Sequence, residues 1–233
     1  MKCIFGPVNS RRLGRSLGID LFSRKICNLN CVYCEVGRTV SPVSRRGVYS
    51  STQGILEEID DYCADAQRLT EVDVLTVTAK GEPTLHSDLG VILRHIKGRV
   101  EKPLAVLTNG TTLMDSDVRQ ALMAADIVVP SLDAALRESF LKVDRPVEGI
   151  DLDEVIQGLT LFSHAYAGKI WLEILLVREM NDAPEDIEAL MTVIRRMRID
   201  RIQLNTVVRP PAEGFARPLS RDRLTEIAHL LHK

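Results

Sequence analysis

Three of the chain's five cysteines fall inside eight residues, in the stretch Lys25-Ile26-Cys27-Asn28-Leu29-Asn30-Cys31-Val32-Tyr33-Cys34, with the spacing C-x3-C-x2-C. Thiols this close in sequence can turn toward one centre, and cysteine thiolate is the usual ligand of iron–sulfur clusters. Three ligands on a four-iron cubane leave one iron without a protein ligand. An iron with open positions can chelate a small molecule through an amine and a carboxylate, so the stretch reads as a substrate-binding metal site rather than a sealed structural one. A zinc site would take a fourth ligand, for which Cys3, Cys63 or His86 are candidates, but zinc ligands more often arrive as two separated pairs. An odd cysteine count in 233 residues does not fit a disulfide-stapled secreted domain.

The rest of the chain reads as a scaffold for that loop. Six apolar runs, several rich in Val and Ile, predict strands at 17–22, 72–78, 104–108, 127–132, 170–177 and 201–207. Between them, Ile55, Leu56, Ile59, Tyr62, Cys63, Ala66 and Leu69 fall on one face at helical spacing. So do Leu152, Val155, Ile156, Leu159 and Phe162, and then Ile187, Leu190, Met191, Ile194 and Met197. Pro184 suits the first turn of that later helix, and Ser220 the cap of a last one built on Leu224, Ile227, Ala228 and Leu231. Strands alternating with helices imply parallel βαβ units, and six units are too few to close an eight-stranded barrel. The expected fold is α/β, a partial (β/α)6 TIM-like barrel with parallel strands and outer helices, as a single domain over 1–233; an open doubly wound sheet is the competing architecture. Polar residues follow the strands directly, in order the cysteine loop, Glu82, Asn109, Asp133, Asn181 and Arg209. In parallel α/β folds the carboxyl ends of the strands build the site, so these residues are expected at one mouth.

Composition adds compartment and charge. The opening ten residues lack the apolar run of a signal peptide, and no stretch approaches the ~20 apolar residues of a membrane span. A cytoplasmic protein with no membrane partner is expected, where thiols stay reduced. Residues 1–50 hold nine Lys and Arg against two acids, a balance of +7, and the remainder stands at −9. The positive charge (Lys2, Arg11, Arg12, Arg15, Arg24, Lys25, Arg38, Arg45, Arg46) surrounds the cysteine loop, where an anionic cluster would sit.

Lys80-Gly81-Glu82-Pro83-Thr84-Leu85 ends the second predicted strand. Glycine allows close backbone approach, Pro83 stiffens the exit, and a carboxylate there can accept hydrogen bonds from an ammonium group. Thr108-Asn109-Gly110 follows the third strand and Ser131-Leu132-Asp133 the fourth; for Asn109-Gly110 a plain turn competes with ligand contact. The C-x3-C-x2-C spacing, with Tyr33 before the last cysteine, resembles that of the radical S-adenosylmethionine (radical SAM) superfamily. The likeness implies a [4Fe-4S] cluster on Cys27, Cys31 and Cys34, with S-adenosylmethionine on the open iron. It places Tyr33 near the adenine and Gly81-Glu82, which resembles the family's Gly-Gly-Glu motif with Lys80 in place of its first glycine, at the methionyl amine. Asn109, Ser131 and Asp133 would touch the ribose and the amino-acid part of the cofactor.

The resemblance narrows to a small branch related to the wybutosine-synthesis enzymes. It is carried by Phe5-Gly6-Pro7-Val8, Ser10-Arg11-Arg12-Leu13-Gly14-Arg15-Ser16-Leu17-Gly18, Gly81-Glu82-Pro83-Thr84-Leu85, Pro130-Ser131-Leu132-Asp133-Ala134, Asp144-Arg145-Pro146 and Gln203-Leu204-Asn205-Thr206-Val207-Val208-Arg209-Pro210-Pro211. Those enzymes add a second cluster, for which this sequence offers no cysteine set, so pyruvate-dependent tricyclic base formation is not expected. The implied activity is reductive cleavage of S-adenosylmethionine to a 5'-deoxyadenosyl radical that abstracts hydrogen from a substrate, phosphate-bearing or a protein. A flavodoxin or ferredoxin would be the electron donor. Two alternatives stand beside it: a glycyl-radical-type activating enzyme acting on a partner protein, and a non-catalytic cluster or zinc module binding nucleic acid through the basic N-terminal segment. Cys3, Arg145, Asn205 and Arg209 carry no assignment.

Overall fold

The structure, a computed structural model, describes residues 2–10 and 12–231. Seven strands form one sheet in chain order: β1 (Ile4–Ser10), β2 (Gly14–Asp20), β3 (Val74–Thr78), β4 (Leu104–Thr108), β5 (Ile127–Pro130), β6 (Lys169–Leu176) and β7 (Arg201–Thr206). β1 runs antiparallel to β2, and every later pair is parallel. Because neighbours in space are neighbours in sequence, the winding never reverses, which excludes the doubly wound alternative with its switch point. The sheet curls into a half-barrel with helices outside, as the strand–helix alternation implies.

The sequence reading has one strand too few. β1 escapes it because Gly6 and Pro7 interrupt an otherwise unremarkable run and most of its residues are exposed, the usual character of an edge strand. The first predicted strand, 17–22, in fact starts at Gly14 and ends at Asp20.

The helices are α1 (Thr52–Cys63), α2 (Ala66–Thr70), α3 (Leu89–Arg99), α4 (Ser116–Leu122), α5 (Arg137–Val143), α6 (Leu152–Ala165), α7 (Pro184–Ile194) and α8 (Arg221–Leu231). The apolar face read over 55–69 is split in two. Asp65 accepts from the Gln67 N–H at 3.0 Å and so opens a new helix after Ala64. Asp151 caps α6 and Pro184 opens α7, and the Ser220 hydroxyl accepts from the Arg223 N–H at 3.2 Å ahead of α8.

The strands obey their two-residue period. Leu17, Ile19, Leu75, Val77, Val106, Val128, Leu172 and Ile174 face the helices and are buried against Ile92, Leu93, Leu159, Phe162 and Leu190. The alternate residues face the lumen of the half-barrel, where apolar Val74, Ala105, Ile127 and Val129 form a separate small cluster. Polar residues share that face: Ser16 and Thr76 hydroxyls bond at 2.7 Å. Gly18 is the register partner of Phe5 across β1 and β2, and a Cβ on Gly18 would lie 2.1 Å from the Phe5 ring. The aromatic ring therefore holds the edge strand down on a glycine. Gly18→Ala is expected to destabilise the fold by about 1–3 kcal/mol, and Phe5→Ala in the same chain to recover part of that loss. Urea unfolding of the two single variants and the double variant measures the coupling; additive effects would refute the contact.

Candidate functional site

The cysteine stretch leaves β2 and lies over the carboxyl ends of the strands, bonded along much of its backbone. On one flank it runs beside the exit of β3. The Ile26 N–H donates to the Lys80 carbonyl and the Glu82 N–H to the Ile26 carbonyl, both at 2.8 Å, a parallel bridge between Ile26 and Gly81. Gly81 has φ +134°, and a Cβ there would lie 1.8 Å from the Ile26 carbonyl oxygen, so only glycine fits. On the other flank Asn30 donates to the Asp144 carbonyl at 3.0 Å, Val32 to Val143 at 2.9 Å and Val147 to Asn28 at 3.0 Å. Asn30 Oδ1 accepts from the Thr39 N–H and the Leu29 carbonyl from the Thr39 hydroxyl, each at 2.7 Å.

This frame brings Cys27, Cys31 and Cys34 to one cavity of about 220 Å³, together with Tyr33, Gly81, Glu82, Asn109 and Ser131. None of the three cysteines is in a disulfide. Cys3 sits in the core beside Glu58, Cys63 ends α1, and His86 stacks on Phe22 with Nε2 3.2 Å from the Ser50 carbonyl; none lines the cavity. The fourth ligand that a zinc site would take from Cys3, Cys63 or His86 therefore does not lie beside the three cysteines. Three soft donors spread over one cavity wall fit a polynuclear iron–sulfur group instead. Burial pushes the Cys27 thiol up to about 11 and the Cys31 thiol well above its ordinary value. Without a cation both stay protonated, and bound iron would displace those protons.

Glu82 also reaches the cavity, but its carboxylate is engaged by the protein. Oε1 accepts from the Thr84 N–H at 3.0 Å, the Thr84 hydroxyl at 2.6 Å and the Thr108 hydroxyl at 2.7 Å, and Oε2 accepts from the Asn109 N–H at 2.5 Å. Burial raises its pKa against the lowering effect of these donors. Asn109 is engaged in turn. Its amide donates to Asn28 Oδ1 at 2.9 Å, and its Oδ1 accepts from the Thr111 hydroxyl at 2.6 Å. Glu82 and Asn109 thus tie the β3 and β4 exits to the cysteine loop.

Ser131 lines the same cavity and forms a bridge to Glu173 of β6. Asp133 does not line it; it lies behind Tyr33 on a second cavity of about 20 Å³, accepting from the Tyr33 hydroxyl and, at 2.7 Å, from the Leu175 N–H. Burial pushes its carboxyl above the usual carboxylate range. Two further residues expected at the mouth lie elsewhere. Asn181 is fully buried, its amide spent on the Asp133 and Leu175 carbonyls at 2.8 and 2.9 Å, and Arg209 pairs with Glu35 at 2.6 Å away from the cavity lining.

Residues 23–194 match the sequence pattern of the radical SAM superfamily. The chain belongs to the radical SAM superfamily. A UPF0026 protein of Helicobacter pylori is 38% identical over 225 residues, covering 95% of this chain and 71% of that protein. A protein named GTPase Obg from Brachyspira hyodysenteriae is 34% identical over 223 residues, but these take in 96% of this chain and 32% of that one, so the chain spans about a third of this relative. Among solved structures, anSMEcpe with bound AdoMet superposes with a TM-score of 0.65 at 17% identity, over 93% of this chain and 59% of that one, a likeness of fold. Radical SAM enzymes use a [4Fe-4S] cluster and S-adenosylmethionine. No helix among the described residues is long and apolar enough to cross a membrane.

Several arginines of the basic N-terminal segment of this radical SAM chain pair with acids elsewhere in the fold. Arg15 pairs with Asp73 at 3.0 Å, Arg38 with Glu213 at 2.6 Å and Arg46 with Asp115 at 3.0 Å. Arg46 also donates to the Thr84 carbonyl at 3.0 Å. Arg12 enters the lumen and engages Glu173, with Gln203 Oε1 at 2.8 Å; Arg11 lies outside the described residues. Arg145, unassigned from sequence, pairs with Glu213 at 2.7 Å. Asp20 was not singled out, although it too is a polar residue at a strand's carboxyl end: its Oδ1 accepts from the Lys80 N–H at 2.9 Å, stitching β2 to the β3 exit.

Two outcomes follow from this geometry. Gly81→Ala, strained in φ and blocked by backbone, is expected to cost about 3 kcal/mol or more in urea unfolding; a loss under 1 kcal/mol would mean the loop can lift off β3 freely. Glu82→Ala strips an acceptor from four donors and is expected to cost about 1–3 kcal/mol even without cofactor. A variant as stable as the parent would return that carboxylate to a purely ligand-facing role.

Proposed function

We propose that Cys27, Cys31 and Cys34 hold one [4Fe-4S] cluster, and that the adjoining cavity takes S-adenosylmethionine for hydrogen abstraction from a substrate. The observation that carries this reading is the meeting of three disulfide-free thiols and the Gly81-Glu82 edge in one cavity, each flank of the loop fixed by backbone bonds. When bound, the cluster and cofactor supply one-electron cleavage of a carbon–sulfur bond and the hydrogen-atom abstraction that follows.

The chain's own residues supply position and environment. The loop backbone holds the thiols at fixed separations before any metal arrives. Gly81 and Glu82 line the side of the cavity on which the methionyl amine would sit. Glu82 keeps Asn109 and the β4 exit in register with that edge. Leu107 and Val129 give the lumen an apolar wall that limits water around a reactive intermediate. Arg12 and Glu173 give the same cavity a charged lining against which a polar substrate would orient. An electron donor of the flavodoxin or ferredoxin kind would reduce the cluster.

Anaerobic reconstitution tests the reading. About four irons per chain are expected, with S-adenosylmethionine converted to 5'-deoxyadenosine under dithionite, and a chain with Cys27, Cys31 and Cys34 all changed to Ala is expected to show neither. Eight irons, or zinc with no iron–sulfur absorbance, would refute it.

A further inference from the structure

We propose that Lys25 raises the reduction potential of the cluster by placing its ammonium on the sulfur of Cys34. The inference rests on the assignment of that cluster to the three cysteines and adds a role for a residue outside the ligand set. Lys25 Nζ donates to Cys34 Sγ at 3.1 Å and also to the Gly37 carbonyl. Both acceptors are fixed by one turn, closed by the Gly37 N–H on the Cys34 carbonyl at 3.1 Å. Gly37 has φ +88° with open space around its α-carbon, so glycine is needed there for conformation and not for room. The next residue, Ile26, is held beside the β3 exit by the bridge to Gly81. The lysine stem is therefore anchored at its base, and its ammonium is held between two fixed acceptors.

The three sulfurs sit in unequal surroundings. Cys34 has a cation, Cys27 Sγ has the Leu29 N–H at 3.5 Å, and Cys31 Sγ faces the Asp144 carboxyl at 3.5 Å. An electron entering a cluster adds negative charge that spreads onto its ligand sulfurs, so a fixed positive charge and an N–H···S donor stabilise the reduced form more than the oxidised form. A cation in contact with one ligand acts on it at short range, where Coulomb attraction is strongest. Lys25 is a positioning and tuning residue in this account, acting through Cys34.

The test is potentiometry on reconstituted protein without S-adenosylmethionine, following the reduced-cluster signal by electron paramagnetic resonance, with iron content recorded for each sample. Lys25→Met is expected to keep the iron of the parent and to shift the midpoint to more negative values. Lys25→Arg, which keeps charge and donors, is expected to shift it distinctly less. An unchanged midpoint in an iron-replete Lys25→Met, or a shift in Lys25→Arg as large as in Lys25→Met, would overturn the proposal. If Lys25→Met takes up no iron, Lys25→Gln replaces it under the same criterion, since it keeps a polar head and removes the charge. Weakened S-adenosylmethionine binding with an unmoved midpoint would assign the ammonium to the cofactor and likewise overturn it. Failure of the parent chain to take up iron would count against the cluster assignment itself and appears before any variant is compared.

Discussion

A parallel bridge between Ile26 and Gly81 fixes the relation between the metal-binding loop and the sheet. Two backbone hydrogen bonds of 2.8 Å are worth only about 1–3 kcal/mol together, but their effect on register is larger than their energy. They make the first residues of the cysteine loop an extension of the strand order, so that Cys27 and Glu82 stand beside one another although 55 residues separate them. The bridge exists because residue 81 carries no side chain. Any Cβ would occupy the place of the Ile26 carbonyl, and the loop would have to leave the sheet.

The second flank makes the loop stiff rather than merely attached. Asn28, Asn30 and Val32 bond alternately to the segment from Val143 to Val147, and that segment contains Arg145 at φ +48°, a conformation costly for a side-chain-bearing residue. The strain is offset where it arises: the Arg145 guanidinium reaches Glu213 at 2.7 Å, and the Glu213 N–H bonds back to the Val32 carbonyl at 2.9 Å. A loop ordered this thoroughly has already lost its conformational entropy in the folded chain, so little of a ligand's binding energy is spent on ordering it.

Much of this was legible in the sequence, and the limits have physical reasons. The strand at 104–108 agrees residue for residue with β4 because Pro103 and Asn109-Gly110 bound a short apolar run whose two faces are both buried. The three cysteines, Gly81, Glu82, Asn109 and Ser131 fall together because a parallel α/β sheet sends every strand's carboxyl end to one side. What sequence could not supply was partnership. Glu82 reads as a free carboxylate for a ligand, while in space Thr84, Thr108 and Asn109 converge on it. The +7 excess of the first fifty residues reads as a surface field, yet Arg46 finds its acid at Asp115 and Arg38 at Glu213. Counting charges measures long-range potential only when the charges lack partners, and pairing is a tertiary property.

The same point explains how a sheet of six parallel strands encloses a lumen at all. A closed barrel would join its first and last strands by hydrogen bonds, whereas here β1 and β7 are the two edges of one sheet. Arg12, in the turn between β1 and β2, spans that gap by reaching Glu173 on β6 and Gln203 on β7, residues that are themselves register partners. An ion pair in such a place adds little net stability once desolvation is counted. Its value is geometric: it ties the first strands to the last from inside the lumen. Arg12 and Glu173 line the same cavity as the three thiols, so the contact that bridges the gap between the sheet's edges also forms part of the wall a substrate would meet.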